Sequence, residues 1–135
     1  MNPVVHFEMP YKDNKRVSKF YQEAFGWQMV DAGEQMGNYV VAETAETDQN
    51  HMAKTPGTIN GGFYPEKDGE LGKSTHVVIS VDNLKESIES VKQAGGETIG
   101  EQMDIPGIGL YVSIRDSEGN IVGVLQPNMP AVTDK

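Results

Sequence analysis

Two histidines stand in apolar, β-branched surroundings: His6 in "VVHFEMP" and His76 in "STHVVISVDN". An imidazole in a strand can bind a metal, move a proton, or sit satisfied in a core. Glu8 follows His6 by two positions, so in an extended strand it points to the same side. Two imidazole nitrogens and one carboxylate are a sound donor set for a divalent ion such as zinc, nickel, manganese or iron. Next-neighbour side chains on one strand lie about 7 Å apart, which makes joint coordination by His6 and Glu8 strained. Glu8 can equally act as a base, or simply pair with a histidine. The chain has no cysteine, which excludes thiolate catalysis, cysteine-ligated zinc, iron–sulfur clusters and disulfides. No Gly-x-Ser-x-Gly turn is present to hold a nucleophilic serine.

The elements around these residues read plainly. Strands are expected over "VVHFEMP", "WQMVDA", "GNYVVAET", "INGGFYP", "HVVIS", "ETIGEQMD", "LYVSIRD" and "IVGVLQP". The first helix lies in "KRVSKFYQEAFG", with Asp13 or Asn14 as cap, Gly26 as stop, and Phe20, Tyr21, Ala24 and Phe25 as its core stripe. The second carries Leu84, Ile88 and Val91, starts at Asn83 with Glu86 three residues on, and stops at Gly95–Gly96. Residues 44–58, which include His51, read as a long polar loop. "GIG" at 107–109 precedes no helix, so it is a hairpin turn and not a phosphate cradle.

The order is βαβββ twice, and the residues repeat with it. Asp13–Asn14 falls on Asp82–Asn83, Gly26 on Gly95, His6 on His76, and "GNYV" from Gly37 on "GLYV" from Gly109. A duplication in one α+β domain over residues 1–135 follows, with modules at about 3–66 and 74–128 and a tail at 129–135. Side by side, two such modules make a curved mixed sheet around a cleft, with helices outside and the two histidines inside. Tyr39 and Tyr111 then occupy matching places, either packing on the sheet or lining a ligand cleft with a hydroxyl each.

From Val4 to Pro127 the chain resembles the glyoxalase, bleomycin-resistance and extradiol-dioxygenase superfamily, the vicinal oxygen chelate proteins. The resemblance rests on "H…FYQEAFGW", "HVVISVDN" and "RDSEGNIVGVLQP". It implies two βαβββ modules, a homodimer, and a divalent ion held from the first and last strands of each module. His6 and His76 match the two first-strand ligands. The last-strand carboxylates fall on Gly123 and on Gly61 or Gly62, so the metal site is incomplete. Loss of those side chains would leave a roomy cleft, walled by Tyr39, Tyr111, Ile121, Gly123 and Leu125, for a small organic molecule. The alternative is a metal-dependent lyase, isomerase or dioxygenase that uses His6 and His76, with Glu8 as third ligand or base.

Bulk properties agree with either class. With 11 basic and 20 acidic residues the net charge is −9, which disfavours nucleic acid and anionic membrane as partners. No apolar run approaches a membrane span, and no secretory leader pattern opens the chain. A cytoplasmic protein is the expectation.

Overall fold

A computed structural model describes residues 1–50 and 52–128; His51 and the tail at 129–135 lie outside the described residues. The elements follow as β1 (Val4–Tyr11), α1 (Asn14–Phe25), β2 (Gln28–Asp31), β3 (Val40–Glu43), β4 (Asn60–Pro65), β5 (His76–Ser80), α2 (Leu84–Gln93), β6 (Glu97–Ile105), β7 (Gly109–Arg115) and β8 (Ile121–Pro127). This is the doubled βαβββ order expected from the repeat. The chain divides into two compact units, residues 5–77 and residues 1–4 with 78 onward. His76 and Val77, which open β5, belong to the first.

In the first unit the strands lie in the order β2-β3-β4-β1. β1 runs parallel to β4, and β3 is antiparallel to β2 and β4. Asp13 caps α1 by accepting a hydrogen bond from the Arg16 N–H at 3.0 Å, and Gly26 ends the helix in the left-handed region at φ 74°. Alternation along β1 sends Phe7, Met9 and Tyr11 into a core with Val40, Ala42, Phe63, Val17, Tyr21, Trp27 and Met29. His6 and Glu8 therefore occupy the opposite face.

The aromatic stripe on α1 is only partly core. Tyr21 stacks on Trp27 at 4.5 Å and touches Phe63 at 5.2 Å. Phe20 and Phe25, expected to be buried, are 55% and 64% exposed, and Ala24 is exposed as well. Val17 and Tyr21, one turn apart, point at the sheet. Phe20 and Phe25 sit beside that line and rest against the edge and face of Tyr21 instead.

In the second unit the order is β5-β8-β7-β6, with β5 parallel to β8 and β7 antiparallel to both neighbours. The Ser80 N–H donates to the Pro3 carbonyl at 2.9 Å. Val81, Leu84, Val112, Ile114 and Val124 form the core under α2. Asn83 caps that helix as expected, accepting from the Glu86 N–H at 3.0 Å. Gln126 turns its Oε1 to the Leu84 N–H at 2.8 Å and so serves the same helix end. β6 spans the expected strand and one residue more; a register shift between Ile99 and Met103 lets pairing with β7 continue past Gly100, whose φ is 74°. Among the described residues no helix is long and apolar enough to cross a membrane.

Candidate functional site

The first unit brings His6, Glu8, Tyr39 and His76 together. Tyr39, which enters β3, donates its hydroxyl hydrogen to Glu8 Oε2 at 2.9 Å. That hydroxyl also lies 2.8 Å from His6 Nε2. It has one hydrogen, already given to Glu8, so His6 must carry its proton on Nε2 and donate to the tyrosine oxygen. On the other side of the carboxylate, His76 Nε2 lies 2.9 Å from Glu8 Oε1, and His76 Nδ1 lies 3.0 Å from the Ser74 carbonyl. A carbonyl only accepts, so Nδ1 holds a hydrogen. With Glu8 ionised, Nε2 holds one too.

The result is a directed chain. His6 donates to Tyr39, Tyr39 to Glu8, and His76 to both Glu8 and Ser74. It is shielded from water, the side chains of His76 and Glu8 being 6% and 16% exposed. Burial is the largest influence on the Glu8 carboxyl and pushes its pKa up, but the hydrogen bonds from His76 and Tyr39 and the nearby imidazole charge overcome it and hold it below the ordinary 4.5. Burial also lowers the His6 pKa below 6.5, against the pull of Glu8, and the charge of His76 adds to the lowering. His6 is thus a neutral imidazole. Its Nδ1 has no hydrogen-bond partner among the described residues.

Both shifts have the same sign for stability. A depressed pKa means the unfolded chain takes up the proton first, so stability falls as the medium is acidified. The His6 contribution is present above its ordinary 6.5 and fades as pH drops through its lowered value in the fold. The Glu8 contribution is present above 4.5 and is lost below it in the same way. The melting temperature is expected to decline in two stages on acidification. In Glu8→Gln the stage below 4.5 should flatten, which a melting series across pH would read.

The glycines at the matched last-strand positions are explained by these tyrosines. Glu8 pairs with Gly62 in register. A Cβ added to Gly62 would overlap the Tyr39 hydroxyl and ring, whereas one added to Gly61 would overlap the Phe7 ring. Gly62 is therefore the glycine on the histidine face, and Gly61 belongs to the core. The second unit repeats the arrangement by itself. Val78 pairs with Gly123, Tyr111 with Leu125, and a Cβ on Gly123 would overlap the Tyr111 hydroxyl. Ile121 pairs with Arg115 at the start of the same strand, one alternate position before Gly123. The expectation that the missing carboxylates leave open room is corrected here: tyrosine side chains take the space above both glycines. A residue on the facing strand can fill a diagonal position two residues away.

A divalent ion does not fit the residues as they are arranged. The Nε2 lone pairs that would ligate it are replaced by N–H bonds directed at Tyr39 and Glu8, and Tyr39 separates His6 from the carboxylate. No group of three or more His, Asp or Glu side chains among the described residues could hold a metal ion.

Tyr64 was not among the expected site residues. It lies two residues beyond Gly62 on β4, so it shares the histidine face, and that parity was available from the sequence. Its ring is tilted 40° to the His76 ring at 6.1 Å, and its hydroxyl donates to the Ser74 carbonyl.

Comparison with known proteins agrees with this architecture. The family model described as "Glyoxalase/Bleomycin resistance protein/Dioxygenase superfamily" matches residues 4–124. A glyoxylase-like domain-containing protein of Didymella fabae is 28% identical over 120 residues, covering 84% of each chain. A protein of Vibrio parahaemolyticus bearing the name "Probable lactoylglutathione lyase" is 25% identical over 126 residues, 91% of this chain and 89% of its own. Among solved structures, a single-residue variant of the Streptomyces coelicolor methylmalonyl-CoA epimerase in complex with 2-nitronate-propionyl-CoA superposes with a TM-score of 0.68 at 11% identity, covering 96% of this chain and 99% of that one; this likeness is one of fold. The chain belongs to the glyoxalase, bleomycin-resistance and dioxygenase superfamily.

Proposed function

We propose that this protein binds a small organic molecule bearing an O–H or N–H donor on the His6–Glu8 face of its first module, and holds it by hydrogen bonds and not through a divalent ion. The observation that carries the reading is the direction of the chain from His6 through Tyr39 to Glu8, which leaves His6 Nδ1 as an available acceptor. A neutral imidazole in a shielded place is a stronger partner for a donor than one competing with bulk water. A solved protein of like fold is in complex with 2-nitronate-propionyl-CoA, which supports an organic ligand on this fold. The working assembly is proposed to be the homodimer implied by the resemblance.

The test is a thermal-shift screen of hydroxy and amide compounds with a chelator present. A binder at a hundred times its Kd is expected to stabilise the fold by about 2.7 kcal/mol. His6→Ala should abolish the shift. Binders that stop working when the chelator is added, and resume with metal, would overturn the reading in favour of a metal-dependent lyase, isomerase or dioxygenase.

A further inference from the structure

His76 donates from Nδ1 to the Ser74 carbonyl at 3.0 Å, and the Tyr64 hydroxyl donates to that same oxygen. Two donors on one carbonyl use both of its lone pairs. The carbonyl itself is delivered by a closely packed turn. The Lys67 N–H donates to the Gly72 carbonyl at 3.1 Å, and a Cβ on Gly72 would overlap the Lys67 backbone. Ser74 then leads into β5 with an extended backbone. Tyr64 comes from β4, whose Pro65 stands opposite Tyr11 at the end of β1, and the Glu66 N–H donates to the Tyr11 carbonyl at 2.8 Å. Strand and turn are thus tied together next to His76 by the tyrosine hydroxyl.

We infer that Tyr64 is a positioning residue for His76: by holding the Ser74 carbonyl it fixes the proton on Nδ1 and turns the Nε2–H toward Glu8. The inference rests on the reading that the hydrogen-bonded histidine face is the working part of the molecule. Burial raises the Tyr64 hydroxyl pKa, with the charges of Glu8 and Glu66 adding to it against the Ser74 bond, so the group stays a donor. Without the hydroxyl, the carbonyl loses one of its two donors and holds the imidazole less firmly. Phenylalanine would keep the ring against His76 and remove only the bond.

The experiment is proton–nitrogen NMR of the imidazoles in the full chain, assigned with His6→Ala and His76→Ala. In the wild type, His76 should show a protected Nδ1–H. In Tyr64→Phe that proton should exchange with water about tenfold faster, the loss of one partly buried hydrogen bond. The Trp27 indole N–H, in the core of the same unit, should keep its wild-type rate. Ser74→Ala, which retains the carbonyl, should leave His76 unchanged. An unaltered His76 proton in Tyr64→Phe would overturn the inference, as would equal acceleration at Trp27, which would make the effect one of general loosening. A wild-type His76 with no proton on Nδ1 would overturn the hydrogen-bonded face itself, and the proposed function with it.

Discussion

Glu8→Ala is expected to destabilise the fold by about 3 kcal/mol, a fall of about 10 °C in melting temperature. The carboxylate accepts from Tyr39 and His76 in a place where its own side chain is 16% exposed and that of His76 is 6% exposed. Removing it takes the Glu8 acceptor from the His76 Nε2–H, in a place shielded from water, and from the Tyr39 hydroxyl. The penalty is that of stranded polar groups, which exceeds the net worth of the bonds. Glu8→Ala combined with His76→Ala should therefore lose much less than the two single losses added. Strict additivity in a double-mutant cycle, followed by chemical unfolding, would show that Glu8 and His76 do not act as a pair.

Gly62→Glu is expected to be at least as harmful, by about 4 kcal/mol from overpacking and burial of a second carboxylate. It would force a side chain into the space held by the Tyr39 ring and hydroxyl. It would also set a like charge near Glu8, its partner in register. Tyr39→Ala opens that space. The double variant Tyr39→Ala with Gly62→Glu should then recover about 1–3 kcal/mol relative to the sum of the singles. Equal destabilisation by Gly62→Glu with and without Tyr39 would mean that the tyrosine is not what makes this glycine necessary.

Much of the fold was legible because local signals agreed with one another. Caps at Asp13 and Asn83, the αL stop at Gly26 and the period of each strand all pointed to two βαβββ modules. His6 and Glu8 were placed on one face by parity alone. Strand parity also separates Gly61 from Gly62, but choosing between them required knowing that Phe7, and not His6, faces the core. The role of Tyr39 was harder to see. Its hydroxyl reaches diagonally over Gly62, and that reach depends on the register between β3 and β4, which no single strand encodes. The matching position of Tyr111 over Gly123 hinted at it. The pairing of both tyrosines with missing side chains became a signal only once the strands were side by side. Phe20 and Phe25 misled for the opposite reason: aromatic residues at helical spacing resemble a core stripe, yet only Val17 and Tyr21 among them and their neighbours meet the sheet.

The most direct test is bound metal, measured on the purified chain after incubation with zinc, nickel, manganese and ferrous iron and removal of excess. With both Nε2 atoms protonated toward Glu8 and Tyr39, the wild type is expected to retain far less than one ion per chain, no more than His6→Ala/His76→Ala. Retention of about one ion per chain in the wild type, lost in the double variant, would contradict the hydrogen-bonded face and make the two histidines metal ligands.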